Sequence, residues 1–107
     1  MYLVQLSAVP SQRFNIPLGG NDYTLKIYSI DGAMAYDLDV NAVSVISGFE
    51  MINDIPLLAY PYQEVNGNLL LAVPESETPD YTRFGSSQFL YYLTAEESKE
   101  YREVTGL

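Results

Sequence analysis

Asp37 and Asp39 stand two apart in the run Tyr36-Asp-Leu-Asp39, and on an extended strand carboxylates at that spacing leave the same face about 7 Å apart. Such a pair can hold Mg²⁺ or Ca²⁺, or divide the roles of acid and base. The surrounding alternation offers a plainer reading, in which both carboxylates sit on the solvated face of a half-buried strand and Asp37 faces Lys26. No third oxygen cluster stands nearby in sequence. Gly19-Gly20-Asn21-Asp22 lacks the Lys and the helix start that a phosphate loop needs, and it lies between two strand-like segments, so it reads as a turn. Ser86-Ser87 has no base to activate it. The chain contains no His and no Cys, which removes most zinc sites, thiol and His-assisted nucleophiles, disulfides, and any side chain that titrates near neutrality unperturbed. The expectation is a non-enzymatic chain with no cofactor and no metal.

The segments that position these residues are strands. Tyr23–Ile30 and Ala33–Val40 alternate apolar and polar residues around Asp31-Gly32, the pairing of residues that a two-residue type I′ hairpin prefers because both central positions need positive φ. A two-residue turn sets Ile27 opposite Tyr36, Leu25 opposite Leu38 and Tyr23 opposite Val40 on one face, with Lys26 opposite Asp37 on the other. A slip of one residue would turn every one of those apolar side chains to water.

Elsewhere, Tyr2–Val9 reads as a first strand ended by Pro10-Ser11. Arg13–Leu18 reads as a second, with Phe14, Ile16 and Leu18 on one face and Pro17 confining it to a sheet edge or ending it there. Asn41–Met51 continues as a strand through Val43, Val45 and Ile46, with Ser47-Gly48 as a bulge or bend. Asp54–Pro61 is apolar but marked by prolines, a buried loop or short strand. Val65-Asn66-Gly67-Asn68 is expected to be a second hairpin turn leading into Leu69–Val73, whose consecutive apolar residues imply cover on both faces, by a partner subunit for instance. Pro74–Arg83 has no period and reads as a loop. Gln88–Leu93 is a last strand, and Thr94-Ala-Glu-Glu97 is a capping box for a helix over Ala95–Arg102, with Glu96, Glu97 and Glu100 on its wet face. The whole is expected to be one mostly β domain over residues 1–107, a small antiparallel sandwich or barrel-like fold with one short C-terminal helix.

The formal net charge is −9, from 14 acidic against 5 basic residues. A surface so acidic repels phosphate backbones, so direct nucleic-acid binding is not expected, while basic protein partners are favoured. No apolar run approaches the roughly 20 residues of a membrane span, and Met1-Tyr-Leu-Val lacks the positive start of a signal peptide, so a soluble protein made in a cytoplasm is expected. The 10 tyrosines, with no Trp, suit both sheet faces and protein contacts. The candidate interface residues are Tyr60 and Tyr62, flanking Pro61, together with Leu70, Tyr91 and Tyr92.

Several short segments carry a family likeness when taken in order. They are Pro10, Gln12 and Phe14; Leu18-Gly-Gly-Asn-Asp-Tyr23; Tyr36-Asp-Leu-Asp39; Ile46-Ser-Gly-Phe49; Asp54-Ile-Pro-Leu-Leu58; Asn66-Gly67 before Leu69-Leu-Leu71; and Arg83-Phe-Gly85 before Leu90-Tyr-Tyr-Leu93. Their order and spacing resemble the baseplate plug proteins of contractile-tailed phages, of the type found in a cyanophage with a minimal baseplate. One departure is Tyr36, where the family pattern often has Trp; an aromatic is kept. The resemblance implies a structural virion protein, assembled in the host cytoplasm and sitting at the centre of the tail baseplate near the junction of tail tube and spike. It further implies several copies, a homo-oligomer packed against hub, tube, spike and other baseplate proteins, and no catalytic residues. Two other readings of the same residues stay open: a soluble β-module that binds a single protein partner outside a virion, and a metal-dependent hydrolase built on Asp37 and Asp39.

Overall fold

The computed structural model describes every residue except Asp54, Ala59, Pro61, Tyr62, Glu64, Val65 and Leu107. Along the chain run β1 (Tyr2–Val4), β2 (Ser11–Leu18), β3 (Asn21–Ile30), β4 (Ala33–Val40), β5 (Val43–Glu50), β6 (Asn68–Ala72), a 3-10 turn (Tyr81–Arg83), β7 (Phe89–Leu93) and α1 (Ala95–Thr105). Strands β2 to β5 form a four-stranded antiparallel meander, and β1, β7 and β6 form a three-stranded antiparallel sheet in that spatial order. Among the described residues the sheets share no strand pairing, so the architecture is a sandwich and not a closed barrel. One core cluster draws on both, with Tyr23, Leu25, Ile27, Tyr36 and Leu38 from the larger sheet against Val4, Leu69, Leu71, Leu90 and Tyr92 from the smaller.

Local sequence explains the meander. Asp31 and Gly32 both have positive φ (49° and 81°), and the register of β3 on β4 pairs Tyr23 with Val40, Leu25 with Leu38, Ile27 with Tyr36 and Lys26 with Asp37, as the alternation requires. Gly19-Gly20, with φ of 57° and 81°, makes the same kind of turn between β2 and β3. Asn41-Ala42 makes a third between β4 and β5, although Ala42 adopts φ 65° without being glycine. The sequence pattern alone continues a strand from Asn41, because Ala is a poor signal for a left-handed position.

Three expectations are corrected. The first strand stops at Val4, not Val9, because only Tyr2–Val4 has a partner, in β7; the chain then crosses to the other sheet and enters β2 at Ser11. The residues Asn66-Gly67 do not join two paired strands: β6 pairs with β7, and among the described residues no strand lies between β5 and β6. Val65, the first residue of that expected turn, lies outside the described residues. Third, both faces of β6 are covered by the chain itself and not by a partner subunit. Leu69 and Leu71 point into the core, whereas Leu70 and Leu93 are buried outside the core cluster, on the side where α1 packs against β7 with Ser98 buried.

The helix is legible from its ends. Thr94 and Glu97 form the reciprocal capping box, and Gly106 closes the helix in the left-handed region at φ 77°; the helix runs one turn past the expected Arg102 because nothing stops it before that glycine. In β5, two register shifts against β4 place an extra residue opposite Asp37 and another between Ile46 and Ser44. The first is the bulge expected at Ser47-Gly48, where Gly48 takes φ 68°. Together they break the strand's period of two: Ile46 and Val43 share the inner face, opposite Leu38 and Val40, and Ile46 is buried, while Val43 at the strand's start and the extra residue Val45 are exposed.

Candidate functional site

Asp37 and Asp39 lie side by side on the wet face of the larger sheet, along a recess of about 140 Å³ that Arg13, Thr24, Lys26, Ser44 and Ser47 also line. Asp37 is committed to the fold. Its Oδ1 accepts the Gly48 N–H at 2.7 Å and the Tyr28 hydroxyl at 2.9 Å, so it pins the β5 bulge to β4. The bond to Asp37 raises the Tyr28 phenol pKa above its usual value. Lys26 stands opposite Asp37 in register but does not pair with it; its ammonium lies 5.3 Å from the centre of the Tyr28 ring. Among the described residues no group of three acidic or other metal-ligating side chains converges on one point.

The tyrosines divide between core and surface. Tyr92 (7% exposed) and Leu70 (8%) are inside the chain, Tyr91 is half-buried and Tyr60 is 57% exposed; Tyr62 lies outside the described residues. Tyr92 meets Tyr23 edge to face, and both hydroxyls donate to the Asn66 carbonyl. That approach requires bare backbone: a Cβ on Gly67, at φ 105°, would stand 2.6 Å from the Tyr92 hydroxyl oxygen. Tyr36 donates to the Leu57 carbonyl at 2.6 Å from within the core. Burial pushes the phenols of Tyr23 and Tyr36 up to about 12.

Two buried amides that alternation could not single out hold the connecting segments. Asn68 accepts the Leu58 and Leu69 N–H groups and donates to the Leu58 carbonyl; Leu57 N–H reaches the Leu69 carbonyl beside it. This fastens the expected apolar loop, with Leu57 and Leu58 buried, along β6. Gln88 accepts the Asp80 N–H and donates to Glu77 and to the Thr78 carbonyl, which gives the loop before β7 its order. Hydrogen bonds from Ser87 and Gln88, and then the Arg83 guanidinium 3.6 Å away, hold the Glu77 carboxyl below the usual range. The signal was a polar residue within or just before an apolar strand, which by itself says nothing of its partners.

The remaining surface features are edges and grooves. Strand β5 ends the larger sheet on one side and presents Val43 (65% exposed), Val45 and Phe49 (51% exposed). Where it leaves the sheet, Glu50, Met51 and Ile52 separate two recesses, one of about 470 Å³ reaching Met34 and Pro79, the other of about 180 Å³ reaching Phe49, Ile55 and Leu71. Strand β2 ends the same sheet on the other side, with Phe14 and Ile16 only partly buried against the core. Such an arrangement can bind through backbone edges and apolar contacts.

Residues 1–96 match the family model described as cyanophage baseplate Pam3 plug gp18. No curated protein matches the chain.

Proposed function

Because this chain belongs to the cyanophage baseplate plug family, we propose that it is a structural, non-catalytic component of a contractile phage tail, seated at the centre of the baseplate near the junction of tail tube and spike. The match over residues 1–96 carries the reading. In this role the molecule works through shape. Its partners are hub, tube and spike proteins and further copies of itself, assembled on the virion in the host cytoplasm. The exposed apolar residues of β5, the two open edges of the larger sheet and the exposed Tyr60 support contacts of that kind.

The test is the composition and assembly of particles. Tails purified from an infected host and separated from free protein are expected to contain this chain at a fixed ratio to the tube protein, and a phage lacking its gene is expected to make no complete baseplate. Intact, infective tails without the chain would overturn the reading and favour a β-module that serves a partner outside the virion.

A further inference from the structure

The wet face of the four-stranded sheet is divided by charge. Arg13 on β2 stands directly opposite Lys26 on β3, two of only five basic residues in a chain of net charge −9. Like charges placed opposite one another across strands are unfavourable, and neither residue forms an ion pair among the described residues. On the other half of the same face, β4 carries Asp37 and Asp39, and β5 carries Glu50 on the side opposite to Phe49. Asp22 of β3 also lies on this face, accepting a hydrogen bond from Asn15, but of the two edge strands β2 carries one charged residue, the basic Arg13, and β5 one, the acidic Glu50.

Both edges also have apolar residues still in need of cover. Phe14 and Ile16 face inward along β2 but are only partly buried, and Val43, Val45 and Phe49 are exposed along β5. No backbone hydrogen bond occupies the outer side of either strand among the described residues. The other two edges are less open: β1 has only three residues, and β6 has the Leu57–Leu58 segment fastened along it. We propose that the β5 edge of one copy is completed by the β2 edge of a second copy, head to tail, in a sheet that continues from subunit to subunit.

Strand direction and charge select this pairing. With four antiparallel strands, β2 and β5 run in opposite directions, so a copy in the same orientation brings its β2 antiparallel to β5 and continues the meander. Two-fold pairings would also be antiparallel. A two-fold β2–β2 contact would bring Arg13 near Arg13, which the charges penalise, and a two-fold β5–β5 contact would leave Glu50, last in its strand, with no basic residue to meet; the head-to-tail contact sets Arg13 beside Glu50. Pro17, which lacks an N–H, stands next to the last residue of β2 and leaves the rest of that edge able to pair. The two bulges bend and twist β5, so successive copies are rotated, and a head-to-tail series closes into a ring when that rotation divides a full turn.

This inference rests on the baseplate reading only for the place where such a ring would sit; the contact itself is tested on the isolated chain. Since the protein has no Cys, engineered thiols report the contact cleanly. Under mild oxidation the double variant Asn15→Cys/Ser44→Cys is expected to give a ladder of disulfide-linked multimers on a denaturing, non-reducing gel, while each single variant gives no disulfide-linked species. A Ser44→Cys or Asn15→Cys disulfide dimer would show a two-fold contact and overturn the proposal. In light scattering, Arg13→Glu/Lys26→Glu is expected to abolish association of the chain, and adding Asp39→Lys/Glu50→Lys to restore it. Both sets of variants are checked for an unchanged thermal midpoint and sheet circular dichroism. A wild-type chain that stays monomeric at every accessible concentration, or association indifferent to charge reversal, would also overturn it. Particles that contain the chain while the ladder is absent would leave the baseplate reading standing and remove this one.

Discussion

Tyr23 and Tyr92 join the two sheets: their rings meet edge to face with centroids 5.9 Å apart at 62°, and both hydroxyls donate to one carbonyl, that of Asn66, at 3.2 and 2.6 Å. One tyrosine belongs to β3 and the other to β7, while Asn66 leads into β6, so a single acceptor ties together three segments far apart in sequence. The backbone at Gly67 can pass so close only because it carries no side chain.

Removing either hydroxyl leaves the other on the carbonyl. Tyr92→Phe is expected to cost about 1 kcal/mol and Tyr23→Phe, with the longer bond, less. The double variant is expected to cost more than the sum, since only then does the carbonyl lose both donors. Urea midpoints of the four proteins measure this, and strict additivity would show that the shared acceptor does not couple them.

Alkaline unfolding follows from the buried phenols. Tyr23 and Tyr36 keep their protons to about pH 12 in the folded chain, against about 10 in the unfolded one. The folded state thus binds more protons between these values, and stability is complete below about pH 10 and falls as pH rises toward 12. Thermal melts across that window, with tyrosinate absorbance followed in parallel, are expected to show a falling midpoint. A midpoint that stays flat to pH 12 would contradict the burial of these hydroxyls.

Ala42 holds φ 65° in the β4–β5 turn. An L-residue in that region is strained by about 1–2 kcal/mol, part of which glycine returns as greater freedom of the unfolded chain. Ala42→Gly is therefore expected to stabilise the protein by about 0.5–1 kcal/mol in denaturant titration. A loss of stability would mean that the turn is not the two-residue I′ type.

Asn68 is fully buried and satisfies both backbone groups of Leu58. Asn68→Ala is expected to cost about 2–4 kcal/mol, because it leaves an N–H buried with no acceptor and removes a donor from the carbonyl. Hydrogen exchange at the Leu58 amide is expected to quicken far more than at Leu25. Equal changes at both would show only a global loss of stability.

From the amino-acid order alone one could read the β3–β4 hairpin to the residue, a turn within Gly19–Asp22, of which Asn21 and Asp22 prove to belong to β3, the capped helix, the edge or strand end marked by Pro17 and the bulge or bend at Ser47-Gly48. Each of these is decided within a few residues, by φ preferences, by the period of two and by side chains that reach their own backbone. The pairing of β1 with β7, the lodging of Leu57 and Leu58 along β6 by Asn68, and the meeting of Tyr23, Tyr92 and Asn66 were decided only by the tertiary structure, because they join residues distant in sequence that no local periodicity relates. The same holds for the candidate surface. Leu70 and Tyr92 have the composition of contact residues, and whether an apolar side chain meets a partner or its own core depends on what the rest of the chain lays over it. Here Leu70 and Tyr92 are buried by the chain itself, Tyr92 against Tyr23 of the other sheet, while Val43 and Val45 on the edge strand β5 are left exposed.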